Sequence, residues 1–99
     1  MLPVELLPGA KQEFDESLDW YRARSRRTAD RFVEAVKRGF AQIATNPSRF
    51  ATMDGVHREL SVKKFPFRII YKEETDRVVV VAIAHAKRRP IYWKKALEI

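Results

Sequence analysis

From Ala10 to Arg24 the apolar side chains Phe14, Leu18 and Tyr21 recur at i, i+4 and i+7, with Trp20 flanking the same stripe. That spacing predicts an amphipathic helix. Its early turns hold Glu13, Asp15, Glu16 and Asp19, and its end holds Arg22 and Arg24, an order of charge that suits the helix dipole. A second stripe, Phe32, Val33, Val36, Phe40, Ile43 and Ala44, predicts a helix from Ala29 to Thr45. Gly39 weakens it slightly, and Asn46-Pro47 ends it. The break at Ser25 to Thr28 is short, so the two helices should form an antiparallel hairpin. Phe14, Leu18, Phe32, Val36 and Phe40 are its expected core. Trp20 and Tyr21 are either core or part of an exposed patch.

Beyond the loop at 48–56, with its Asp54-Gly55 turn signal, the pattern shortens to strand length. Arg58 to Lys63 alternates, with Leu60 and Val62 apolar; Phe65 to Lys72 reads Phe-Pro-Phe-Arg-Ile-Ile-Tyr-Lys, with Pro66 at the start, where a missing N–H is tolerated. After a turn at Glu73 to Asp76, the stretch Arg77 to His85 carries four consecutive valines and then Ala-Ile-Ala. Such a run predicts a central strand buried on both faces. These three strands form an antiparallel meander, and the hairpin must cover one face, because neither layer hides its apolar side alone. Residues 3–7 fit a short N-terminal strand at a sheet edge, Pro8-Gly9 punctuates the chain, and Pro90 to Leu97 reads as a turn or short helix. The fold class is α+β.

The 99 residues are one domain's worth, spanning 1–99, and 45% hydrophobic against 33% charged is a globular balance. With no cysteine, a disulfide framework and thiolate chemistry are excluded. The longest apolar run, Val78 to Ala84, is too short to span a bilayer, and no basic stretch with a long apolar core opens the chain. The expectation is a cytoplasmic protein without membrane attachment. The net charge is +7: residues 1–56 carry 9 Lys/Arg against 8 Asp/Glu, and residues 57–99 carry 11 against 5. The positive field should therefore sit on the C-terminal half, favouring either a polyanionic partner or a plain solvated surface.

The valine-rich strand runs into a polar cluster, His85-Ala86-Lys87-Arg88-Arg89-Pro90-Ile91-Tyr92-Trp93-Lys94-Lys95. Arg68 lies mid-strand, and the meander can turn it and the end of the last strand toward one shared groove. Guanidinium, imidazole and phenol are groups that grip a phosphodiester and move its protons. Metal-free RNA cleavage needs a base for the 2′-hydroxyl, cations for the pentavalent phosphate and an acid for the leaving oxygen. One well-placed donor is worth about 3–4 kcal/mol of charge stabilisation, and acid–base help roughly 10²–10⁴-fold. Arg68 and Arg88 suit the first purpose, His85 and Tyr92 the second. Arg58, Lys63, Lys64, Lys87, Arg89 and Lys94 are candidate phosphate contacts. Each has a plainer reading. His85 can be a hydrogen-bonded structural residue, Arg68 can pair with Glu59 or Glu73, and Trp93 fits the core better than a stacking role. The basic run can also dock an acidic protein.

The helical segments "DWYRARS" and "ADRFVEAVKRGFAQIATNP", the strand pair "HRELSVKKFPFRIIY" and the block "RVVVVAIAHAKRRPIYW" together resemble the RelE/ParE superfamily of type II toxin–antitoxin toxins over nearly the whole chain. The resemblance implies a helical hairpin packed on a twisted antiparallel sheet. It also implies a cognate antitoxin that neutralises the toxin, and no cofactor. RelE-like members cleave mRNA on the ribosome without a metal; ParE-like members bind DNA gyrase without hydrolysis; a degenerate member would bind its antitoxin alone. Arg68 resembles the arginine of the RelE-like "RxxY" strand, Arg88 or Lys87 the basic residue near the end of the last strand, and Tyr92 the tail tyrosine, at a shorter spacing. His85 resembles a histidine that some relatives use. Where RelE places lysines upstream, this chain has Glu59 and Ser61. Ribosome-dependent mRNA cleavage is the leading expectation, and gyrase inhibition the alternative.

Overall fold

The computed structural model describes residues 1–97. A short strand β1 (Val4–Leu6) leads into helix α1 (Pro8–Arg22) and helix α2 (Arg26–Thr45); a single 3-10 turn follows at Pro47–Arg49. Strands β2 (His57–Ser61), β3 (Phe67–Glu73) and β4 (Val78–His85) come next, and a helix α3 (Tyr92–Leu97) closes the described chain.

Local chemistry sets the helix limits. Pro8 and Gly9, expected as punctuation, are the first helical residues of α1. A proline is tolerated there because the first-turn N–H groups have no intrahelical partner. The break expected at Ser25 to Thr28 lies instead at residues 23–25, between the end of α1 at Arg22 and the start of α2 at Arg26. The extended backbone of Ser25 and its hydroxyl, which accepts the Thr28 N–H at 3.2 Å, cap α2 three residues earlier than the apolar stripe suggested. Along α2 the residues Ala29, Phe32, Val36, Gly39 and Ile43 are buried at alternating spacings of three and four, with Ala44 beside the last. Gly39 allows close approach to the sheet: a Cβ there would lie 2.6 Å from Ile69 Cδ1.

The sheet order is β1-β4-β3-β2. β2, β3 and β4 form the expected antiparallel meander, and β1 joins β4 in parallel, with Val4 opposite Val78 and Leu6 opposite Val80. The sheet is therefore mixed. β4 is central, and Val78 to Ala84 are all buried, as the continuous valine run required. A register shift between Ile70 and Tyr71 bends the β3–β4 pair.

Alternation along the strands divides the side chains between two faces. Phe67, Ile69, Tyr71, Val78, Val80 and Ile83 pack beneath α1 and α2 with Leu18, Phe32, Val36 and Ile43. Phe32 lies at the centre of this layer, with ring centroids 5.6 Å from Phe14, 5.1 Å from Tyr21, 5.4 Å from Phe65 and 5.2 Å from Phe67. The opposite face carries Ile70, Val81, Ala82 and Ala84, covered by Trp93 of α3 with Leu7 and Tyr92 alongside. Trp93 is thus core, while Trp20 is 54% exposed. No described helix is long and apolar enough to cross a membrane.

Candidate functional site

The register of β3 on β4 decides which candidate residues meet. Phe67 is opposite His85, and Arg68 is opposite Ala84. Phe67 belongs to the helix-covered layer and Ala84 to the layer under α3. His85 and Arg68 therefore stand on opposite faces of the sheet. The expected groove shared by Arg68 and His85 does not form, because neighbouring positions on paired strands alternate in direction.

On the helix-covered side, the His85 ring meets Phe67 edge-on at 5.0 Å. Its Nδ1 accepts the Lys87 backbone N–H at 3.0 Å. A backbone N–H can only donate, so the neutral ring carries its proton on Nε2 and offers that N–H outward. The lone pair a general base needs is already used in the turn. His85 lines a cleft of about 410 Å³ with Trp20, Tyr21 and Lys87, and Arg24 stacks over Trp20 at 3.7 Å.

On the α3 side, Arg68 donates to Glu59 at 3.3 Å, one of its two plainer partners, while its Nε is buried without a partner. Tyr92 is held from three directions. Its hydroxyl donates to Glu13 Oε2, the Arg88 guanidinium lies 4.0 Å above its ring, and Arg68 is close enough to act on its charge. Desolvation, followed by the hydrogen bond and charge of Glu13, pushes the Tyr92 phenol well above its ordinary value despite the two arginines. Tyr92 is therefore a fixed hydrogen-bond donor, poorly matched to proton transfer near neutral pH.

Glu13 is the residue the sequence did not single out. Its acidity near the start of α1 read as a dipole partner. Its Oε1 accepts the Ile83 N–H at 3.0 Å, on the edge of β4 beyond the reach of β1, and Oε2 receives the Tyr92 hydroxyl. One carboxylate thus ties α1, β4 and α3 together. No local pattern could reveal it, since its partners lie 70 and 79 residues away.

The remaining candidates divide between structural contacts and free charge. Arg58 donates to the carbonyls of Ser48 and Phe50 and pairs with Glu73 at 3.7 Å, and Tyr71 donates to the Pro47 carbonyl at 2.7 Å; both hold the 3-10 turn against the sheet. Lys94 pairs with Asp54 at 2.8 Å. Asp54 also accepts the Val56 and His57 backbone N–H groups at 3.0 and 2.7 Å, and the His57 ring, which packs on Trp93 at 4.6 Å. The His57 N–H first, then Lys94, the His57 ring and the Val56 N–H, hold the Asp54 carboxyl far below the usual carboxylate range. Lys87, Arg88 and Arg89 are exposed in the turn before α3, where Ile91 takes a left-handed φ of 55°. Lys63 and Lys64 are exposed in the β2–β3 turn, far from Tyr92 along the chain and beside α2. Among the described residues, no three His, Cys, Asp or Glu side chains converge as a metal site would require.

The profile of the family described as the ParE toxin of the type II toxin–antitoxin system parDE matches residues 4–90. Among solved structures, a chain of the chromosomal ParDE toxin–antitoxin system from P. aeruginosa superposes with a TM-score of 0.73 at 15% identity, covering 86% of this chain and 96% of that one. That likeness shows the shared fold. No curated protein sequence matches.

Proposed function

The chain belongs to the ParE toxin family of type II toxin–antitoxin systems, and from that premise we propose that it arrests growth by binding DNA gyrase, without hydrolysing RNA, until a cognate antitoxin covers it. The observation that carries this reading is the dispersal of the candidate catalytic groups. Arg68 and His85 face opposite sides of the sheet, the His85 Nδ1 is engaged by Lys87, and the Tyr92 hydroxyl is committed to Glu13. Acid–base catalysis needs a proton donor and a proton acceptor around one reacting phosphate. Here those groups act as internal struts, which suits a protein that works by shape and surface charge.

A second reading, ribosome-dependent mRNA cleavage, draws on Arg68 and Arg88, which both lie close to Tyr92, and on the unpartnered Arg68 Nε. One experiment separates the two. Wild-type toxin and an Arg68→Ala/Tyr92→Phe variant are induced in bacteria, and plasmid supercoiling and ribosome-bound mRNA are followed. Relaxed plasmid, intact mRNA and equal toxicity of the folded variant are expected. Ribosome-dependent cuts that vanish in the variant would overturn the gyrase reading in favour of cleavage. An absence of growth arrest from the wild type would leave a chain that binds its antitoxin alone.

A further inference from the structure

A groove of about 800 Å³ lies between α2 and the β2–β3 turn, away from Arg68, His85 and Tyr92. Arg27, Arg31 and Arg38 line one wall and Lys63 and Lys64 the other, against two carboxylates, Asp30 and Glu34. All five cations are exposed, and none forms an ion pair within 4 Å among the described residues. Elsewhere the surface arginines and lysines are often paired: Arg58 with Glu73, Arg77 with Glu5 and Glu74, Lys94 with Asp54. A concentration of unpaired charge in one concavity focuses the field and draws a polyanion.

We propose that this groove binds the phosphate backbone of duplex DNA. Arg27, Arg31 and Arg38 lie on one flank of α2 at i, i+4 and i+11, a row of about 16 Å at 1.5 Å per residue. Laid along a duplex, that length faces about five phosphates of one strand. Among the described residues, the exposed large apolar side chains Met1, Trp20, Met53, Val56 and Ile91 all lie outside the groove. Phe65, half-buried against Phe32, is the one aromatic side chain among its lining residues, so the groove offers little of the apolar anchoring that seats an amphipathic peptide or of the aromatic faces on which unpaired bases stack. Recognition by charge and spacing, blind to base identity, is what remains. The choice of duplex over other polyanions rests on the gyrase reading, since gyrase acts on duplex DNA. The groove would hold the toxin against the DNA that its target carries.

The test uses the full-length toxin and a short fluorescent duplex, with no gyrase present, titrated across a range of salt. Five phosphate contacts predict a logarithmic salt slope of about −4.5. Arg27→Ala/Arg31→Ala/Arg38→Ala, whose alanines preserve helix α2 as checked by circular dichroism, should lower the slope to about −2 and weaken binding roughly 10–100-fold. Lys63→Gln alone should lower the slope by about one. Arg26→Ala/Lys37→Ala, also on α2 but outside the groove, should bind nearly as wild type. Equal losses in that control and in the triple variant would overturn the proposal, reducing the effect to net charge. So would preference for single-stranded RNA, or displacement by polyglutamate at matched charge, which would assign the groove to an acidic protein. Supercoiling measured separately keeps the readings apart. Gyrase inhibition without duplex binding sinks the groove proposal alone, and groove-dependent duplex binding without gyrase inhibition sinks the gyrase reading alone.

Discussion

Under α1 and α2 the sheet is closed by rings and branched chains: Phe32 touches four other aromatic side chains, and Ile69, Tyr71, Val78 and Val80 are fully enclosed beneath it. Under α3 the same sheet offers a smaller cluster, Ile70 and Val81 beside Ala82 and Ala84, with one large lid, Trp93; the lid meets the His57 ring and is pinned by the polar contacts of Tyr92 to Glu13 and Lys94 to Asp54. The first face is secured by non-directional burial that scales with apolar area. The second combines a little burial with directional contacts that depend on charge state. The two should therefore respond differently to truncation and to acid.

Truncating the centre of the first face has the largest expected effect. Phe32→Ala removes a fully buried ring and leaves a cavity the surrounding rings can only partly fill. It should cost about 3–5 kcal/mol, a large share of the roughly 5–15 kcal/mol that stabilises a domain. Urea denaturation measures it; a loss below about 1 kcal/mol would mean that this layer is not the one holding the fold. Trp93→Ala on the second face should cost less, about 2–3 kcal/mol, because the side chain closes the edge of the molecule and its neighbours can relax. Its signature should be early protease cleavage in the segment after His85 while the hairpin stays protected. Uniform loss of protection would make the faces one cooperative unit and erase the contrast.

Acid has the smallest and most selective effect. The folded Asp54 carboxyl is depressed, first by the His57 N–H and then by Lys94. Its contribution is therefore fully present above the unfolded carboxyl value of about 3.9, and is lost as the pH falls through and below it. From about pH 5 downward, Trp93 fluorescence in a Trp20→Phe background should report loosening of α3 before the far-ultraviolet helix signal falls. Asp54→Asn should flatten that early change. If α3 and the hairpin melt together in acid in both proteins, the polar pins do not distinguish the faces.

Much of the first face was legible along the chain, because a helix stripe and a valine run are local patterns that burial enforces. The helix ends were less so: Ser25 caps α2 through its hydroxyl, and Pro8 starts α1, both positional effects that an apolar count overlooks. The second face was mostly hidden. Pairing of Arg68 with Glu59 or Glu73 was the plainer alternative to a catalytic role, and Trp93 was expected as core, yet Glu13 gave no sign of its link to Tyr92. Charge counting by halves pointed to the C-terminal half, which supplies Lys63 and Lys64 of the groove, but gave no sign of the arginines on its other wall. The surplus of residues 1–56 is only one charge because Glu13, Asp15, Glu16 and Asp19 of α1 offset the arginines of α2. In space these groups lie on different helices, and the groove sees only the second set.

Hydrophobic period alone determined that this chain makes a helical hairpin on a meander with β4 at its centre, since each element must bury its stripe and few layered arrangements allow it. The helical segments, the strand pair and the valine-rich block together also pointed to the superfamily, the block from Phe65 to Trp93 most specifically. Tertiary structure decided what the polar residues do. The pairing of Phe67 with His85, and of Arg68 with Ala84, sends two candidate partners to opposite faces. The packing of α1 brings Glu13 within reach of Tyr92, and the glycine approach of α2 to Ile69 sets the basic wall beside the β2–β3 turn. Burial follows from spacing a few residues long, whereas a polar contact is fixed by register and distance between segments that lie tens of residues apart.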